Sequence, residues 1–176
     1  DSSIDATSSG SNAIFSTDSA SVLANNVNIT TSAANSRGLD ATYGGSIIAN
    51  AMTISTKGDH SASLATDRGG SVSVTDSTLN TAGSGSPLLY STGDIEVSGV
   101  TGTASGSQIA GMEGLNTILI NNSTLESTNT GTTGSDPVAN GVIIYQSTSG
   151  DAESSTGQHA TFQAKDSTLK SAITSG

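Results

Sequence analysis

The chemistry this chain can offer rests on few side chains. It carries 15 Asp and Glu against five Lys and Arg, two His and no Cys. Carboxylates are therefore the main reactive groups. Calcium takes carboxylates together with backbone and amide oxygens, and Asp151 with Glu153 is the pair best suited to it, in the polar stretch 147–157. Hydrolysis of a glycosidic bond needs two carboxyls about 5–10 Å apart. Asp94 and Glu96, two residues apart, share one face of any strand that carries them. A nitrogen-ligated metal is not expected, because His60 and His159 are far apart and have no His or Cys neighbours. Serine is abundant, but no motif places a His base beside one. The Gly131-Thr132-Thr133-Gly134 stretch lacks the Lys and helix of a phosphate loop. No catalytic residue is assigned, and no cofactor is expected beyond calcium.

Sugar recognition would call on aromatic rings, and these are scarce. Tyr43, Tyr90, Tyr145, Phe15 and Phe162 are the whole supply. Tyr43 precedes Gly44-Gly45 and is expected to be exposed. With Asp94 and Glu96 it makes up the candidate ligand-binding set.

The elements that must hold these residues repeat. Ser71-Val72-Ser73-Val74-Thr75-Asp76-Ser77-Thr78-Leu79 returns in looser form along the chain. Leu79 has equivalents at Ile4, Ile29, Ile54, Leu125 and Leu169, and the first three steps are each 25 residues. Self-similarity at this period means one supersecondary unit stacked many times. Each unit reads as three short strands. The first alternates with period 2, placing Val22/Ala24, Ile47/Ala49, Val72/Val74, Ile95/Val97, Ile118/Ile120 and Phe162/Ala164 inward. Asn or Asp follows at Asp1, Asn26, Asp76, Asn122 and Asp166, residues that tolerate left-handed backbone. The second strand carries the Leu79 column, with Gly102 in the fifth coil, which is expected to be thin there. The third gives a column of Ile14, Leu39, Leu64, Leu88, Ile109 and Ile143. Two residues on, Ser16, Ala41, Thr66, Tyr90, Gly111 and Tyr145 suggest an interior that widens toward the C-terminus. Gly44-Gly45, Gly69-Gly70 and Gly93 close coils at bends that call for positive φ.

Three strands in about 22–25 residues is the period of a parallel β-helix, an all-β solenoid, and the crossover preference of parallel strands makes it right-handed. A leucine-rich repeat is excluded by the missing helical segment. A β-sandwich, with equally short strands, is the runner-up and lacks a reason for the 25-residue register. The whole of 1–176 is expected to form one domain, with a loop insertion around 127–157. Both ends fall inside repeat units, which suggests part of a longer chain and possible end-to-end self-association through uncapped coils.

On this framework the acids do not form a column. Asp40 and Asp67 both fall near the third strand, three residues out of step, and Glu126 faces out beside Leu125. Arg37 and Arg68 lie in adjacent coils near Asp40 and Asp67, where salt bridging across coils is the expected use. Thr53-Ile54-Ser55-Thr56 and Val74-Thr75 hint at an ice-binding face, but no strict Thr-x-Thr ladder supports it.

Composition narrows the partners. Ser and Thr make up 58 of 176 residues and aromatics 3%. Such polarity often means disorder, but regularly placed Ile, Leu and Val with only two Pro argue for a solenoid. A net charge of −10 opposes nucleic acid, which requires a basic stripe, and anionic membranes. No apolar run approaches the roughly 20 residues of a membrane span.

The stretch Gly141-Val142-Ile143-Ile144-Tyr145-Gln146-Ser147-Thr148-Ser149-Gly150-Asp151-Ala152-Glu153, followed by Ala160 through Leu169, resembles large bacterial adhesin-like surface proteins with a pectate-lyase-like, right-handed β-helix. The resemblance implies an extracellular or cell-surface setting and a structural or adhesive role. A polar, acidic face would meet extracellular polysaccharide or a neighbouring cell. It also leaves open a polysaccharide lyase or glycoside hydrolase of the β-helix type, as the enzymatic alternative.

Overall fold

The computed structural model describes residues 1–132, 140–146 and 159–173. All of its regular structure is β, in three parallel sheets that wind as a solenoid of about five turns. The sheet of first strands stacks β3 (Ser21–Asn25), β6 (Ser46–Asn50), β9 (Ser71–Thr75), β12 (Asp94–Ser98), β15 (Thr117–Asn121) and β18 (Thr161–Lys165). The sheet of second strands stacks β1 (Ser2–Ala6), β4 (Val27–Thr31), β7 (Thr53–Thr56), β10 (Thr78–Thr81), β13 (Thr101–Ala104), β16 (Thr124–Ser127) and β19 (Thr168–Ser171). The sheet of third strands stacks β2 (Ile14–Ser16), β5 (Leu39–Thr42), β8 (Leu64–Asp67), β11 (Leu89–Ser91), β14 (Ala110–Glu113) and β17 (Val142–Tyr145).

The aliphatic columns of the first two sheets stand in the register their spacing predicts. Val22, Ile47, Val72, Ile95, Ile118 and Phe162 pair in succession. So do Ile4, Ile29, Ile54, Leu79, Gly102, Leu125 and Leu169. From Ile29 to Leu125 these second-strand aliphatics are essentially sealed from water. The alternation of β-branched and polar residues thus becomes one continuous apolar interior. The fifth coil keeps its register at Gly102. The space a side chain would occupy there is taken by Leu88, whose Cδ1 lies 2.9 Å from where a Gly102 Cβ would stand.

Each corner has its own backbone solution. Between first and second strands the chain turns through one left-handed residue: Asn26, Ala51, Asp76, Gly99, Asn122 and Asp166 all have φ between 47° and 66°. Four of the five Asx residues expected there, Asn26, Asp76, Asn122 and Asp166, are among them. Between third and first strands, two left-handed residues follow one another at Asp18-Ser19, Tyr43-Gly44 and Arg68-Gly69, as in a type I′ turn. Each turn is closed by an i to i+3 bond, such as Gly70 N to Asp67 O at 3.1 Å. The glycines after these turns have a different cause from the one predicted. Gly70 has no positive φ, but a Cβ on it would stand 2.0 Å from the Ala41 carbonyl oxygen of the preceding coil.

Serine hydroxyls stitch coil to coil inside the loop between second and third strands. Ser11 N donates to Ser36 Oγ, Ser36 N to Ser61 Oγ and Ser61 N to Ser86 Oγ. A second ladder runs beside the left-handed corner, where Met52 N donates to Ser77 Oγ, and Ser123 Oγ and Ser167 Oγ accept in the same way. Buried amides that no strand serves are thereby satisfied. Much of the chain's serine is structural.

The third-strand column differs from the prediction. Leu64 pairs with Leu89, and Leu89 with Ala110, which pairs with Val142. Two residues further on, the same parity carries Ser91 and Met112, both buried, and Ile144, which is 45% exposed. Tyr90 instead pairs with Ala65 and Gly111, and Tyr145 with Glu113. Both tyrosines therefore stand on the outer face, and the interior does not widen to take them. A one-residue slip sends every side chain of a strand to the other face.

Candidate functional site

The outer face of the third-strand sheet gathers what this chain has of reactive chemistry. Strand alternation sets Phe15, Asp40, Ala65, Tyr90, Gly111 and Ile143 in one outward file. Asp67 and Glu113 belong to a second outward file two residues along. Tyr43 and Arg68 occupy the turn at the rim, and the Arg68 guanidinium lies 5.3 Å from the centroid of the Tyr43 ring. Four of the five aromatic residues are on or beside this one face. Phe162, the fifth, packs against the core.

Asp40 and Asp67 both reach Arg37 on this face. Their offset is two residues across adjacent strands (Asp67 pairs with Thr42), not three as predicted. An even offset puts both on one face, where an odd one would have separated them. Arg37 spans them, with Nη1 at 3.2 Å from Asp40 Oδ2 and 3.5 Å from Asp67 Oδ2. The expected bridging across coils is therefore present, through Arg37. Asn12 Nδ2 also donates to Asp40 Oδ2 at 2.8 Å. Asp40 is only 2% exposed, and its Oδ1 is buried with no hydrogen-bond partner. Burial raises its pKa to about 6; Arg37 opposes that rise and the neighbouring Asp67 adds to it.

Farther along the face, Glu113 Oε1 accepts from Tyr90 Oη at 2.7 Å and from Tyr145 Oη. Burial, and then the hydrogen bond to Glu113, push the Tyr90 phenol well above its ordinary pKa. The Tyr90 phenol thus stays a donor, and a carboxylate that accepts from two hydroxyls is held in one orientation. Asp67 and Glu113 occupy the same file two strands apart, about 9–10 Å along the backbone stack.

The other predicted site residues lie elsewhere. Asp94 and Glu96 share the outer face of β12, as their spacing requires, and with Ser71, Ser73, Thr117 and Leu119 they line a shallow depression of about 210 Å³. Tyr43 is 54% exposed, but it belongs to the third-strand face. Asp151 and Glu153 lie outside the described residues. Among the described residues, no group of three or more His, Cys, Asp or Glu is placed to hold a metal ion. No helix among them is long and apolar enough to cross a membrane.

Sequence reasoning missed Phe15, Tyr90, Tyr145 and Glu113 as outward neighbours. The signal was present in the adjacent Leu88-Leu89 pair, either of which could point inward. Outward threonines were also passed over: Thr53, Thr78, Thr101, Thr124 and Thr168 form an exposed single file on the second-strand sheet. The neighbouring file mixes Ser55, Asn80, Thr103, Glu126 and Lys170, so the two-column Thr-x-Thr pattern is still missing.

Comparison with family models, with curated proteins and with solved structures finds no match to this chain.

Proposed function

We propose that this chain is a rigid structural and adhesive β-solenoid, and that the outer face of its third-strand sheet binds glycan at a cell surface or in the extracellular space. The observation that carries this reading is the concentration of aromatic rings on one face of a chain with so few. Phe15 and Tyr43, both more than half exposed, supply apolar platforms for sugar faces, while the exposed Arg68 offers hydrogen bonds to hydroxyls beside them. Binding of this kind suits a long file of weak contacts, in which many sites along a stiff rod act together. The stacked, in-register interior supplies the stiffness. The acidic charge of −10 favours neutral or cationic polymers over anionic ones.

A second reading, a polysaccharide lyase or glycoside hydrolase, draws on Asp67 and Glu113 in one file. Their backbone separation approaches the roughly 6.5–9.5 Å between carboxyls of inverting enzymes. Against it, Asp40 is sealed from solvent and Glu113 is occupied by two phenols.

Binding of the purified chain to an array of immobilised polysaccharides, followed by product analysis on every polymer bound, separates the two. Retention without cleavage, weakened at least several-fold by Tyr43→Ala or Phe15→Ala, supports the adhesive reading. Release of oligosaccharides that stops in Asp67→Asn supports the enzyme. No retention on any polymer removes glycan binding from this face.

A further inference from the structure

We propose that the outer face of the first-strand sheet pairs with the same face of a second copy of this chain, the two solenoids lying side by side in opposite directions. This face is separate from that of the third strands, so the inference does not depend on the glycan reading. Its middle outward file runs Leu23, Ile48, Ser73, Glu96 and Leu119, each paired with the next. Leu23 is 73% exposed and Ile48 53%. Around them the outward residues of β3, β6 and β9 are Ser, Asn and Thr, with no charge. On a chain of net charge −10 this is a neutral surface with an apolar centre, and depletion of charge marks the core of a protein interface. Farther along, the same file enters the depression lined by Ser73, Glu96 and Leu119. One face thus carries both apolar knobs and a hollow, the self-complementarity that a two-fold interface requires.

Charge decides the direction of the axis. Two simple two-fold axes can lie between facing sheets. An axis along the solenoid sets each strand against its own copy, Glu96 on Glu96, which like charges oppose. An axis along the strands, above Ser73, reverses the order of the file instead. Ser73 then meets Ser73, Leu23 meets Leu119, and Ile48 meets Glu96 at the depression. Asp94, one strand beyond Ser71, meets Ser46. Each carboxylate thereby faces a neutral side chain. Ser73 and Asn50 of the second copy, beside its Ile48, offer donors to the Glu96 carboxylate.

In this arrangement β3, β6, β9, β12 and β15 overlap their counterparts. At about 4.8 Å between strands and about 3.3 Å per residue they cover roughly 400 Å² of flat surface on each copy. Side-chain relief adds to that area and brings it to the low end of specific interfaces. The dimer is therefore expected to dissociate in the micromolar range or above. It leaves the third-strand faces of both copies open, so one assembly presents two of them.

Sedimentation velocity of the chain from about 5 to about 500 µM brackets that range and tests the proposal. A shift from monomer to dimer with concentration is expected. Ile48→Glu sets two carboxylates together and should weaken association at least about tenfold. Ile48→Lys meets Glu96 and should keep the dimer, now sensitive to salt. Ile48 is half exposed, so both variants leave the interior intact, and circular dichroism checks their fold. A wild type that stays monomeric overturns the proposal, whether or not the face then proves to bind lipid vesicles or another protein. Undiminished association of Ile48→Glu overturns it too. Equal loss in both variants overturns the axis along the strands, because only the other axis sets position 48 against itself.

Discussion

Arg68 lays its guanidinium over the ring of Tyr43, 5.3 Å from the centroid. The two residues hold the same turn position in successive coils, both in left-handed backbone with φ of 47° and 50°. Neither residue type favours that conformation, since left-handed backbone costs an L-residue roughly 1–2 kcal/mol. The ring–cation contact returns part of that cost and joins the two turns. Arg68→Ala should lose about 0.5–1 kcal/mol of stability, and Arg68→Gly less, because glycine relieves the backbone. Urea unfolding of both variants checks the order; an Arg68→Gly variant weaker than Arg68→Ala would refute the backbone part of the account.

Adjacent glycines in the turn that holds Arg68 should respond for different reasons. A Cβ on Gly70 would stand 2.0 Å from the Ala41 oxygen, whereas Gly69, at φ +77°, has nothing within 4 Å. Gly69→Ala should cost only the left-handed penalty of about 1–2 kcal/mol. Gly70→Ala forces backbone of neighbouring coils apart and should cost about 3 kcal/mol. Denaturant midpoints of the two variants measure the difference, and a smaller loss at Gly70 would contradict the close stacking of coils.

Leu88 and Gly102 form a complementary pair in the interior. Leu88 is fully buried and fills the gap where the second-strand column lacks a side chain. Leu88→Ala should cost about 3 kcal/mol through the cavity it leaves. Gly102→Ala alone should destabilise, since its Cβ would lie 2.9 Å from Leu88 Cδ1. Combined, the two should cost less than the sum of the singles by about 1 kcal/mol or more, because the new methyl occupies freed space. Strict additivity in a double-mutant cycle would show that Leu88 does not fill this gap.

Much of the architecture was legible in the chain itself. Val72 and Val74, or Ile118 and Ile120, can both be buried only if the strand between two polar neighbours faces inward on alternate residues. The 25-residue recurrence of Ile29, Ile54 and Leu79 then has one economical explanation, stacking of like on like. Asn26, Asp76 and Asn122 marked a corner because a short polar side chain eases left-handed backbone. The third strand was harder. Its coils differ in length: Leu64 to Leu89 is 25 residues, Leu89 to Ala110 only 21, and Ala110 to Val142 is 32. No fixed period survives such changes.

That difficulty separates the two sources of information. Local alternation and recurrence, being properties of neighbouring residues, determined an all-β solenoid with three strands per coil and named most of its apolar columns. Which of Leu88 and Leu89 joined the third-strand column was decided by hydrogen bonding between coils. That choice moved Tyr90 and Tyr145 from the interior to the outer face and brought them onto Glu113. The meeting of Asp40 with Asp67, by contrast, follows from the predicted register of Leu39 on Leu64, which sets Asp67 two residues beyond Ala65, the partner of Asp40. A pleated strand has only two sides, so a shift of one residue rearranges a whole surface while leaving composition and period almost unchanged.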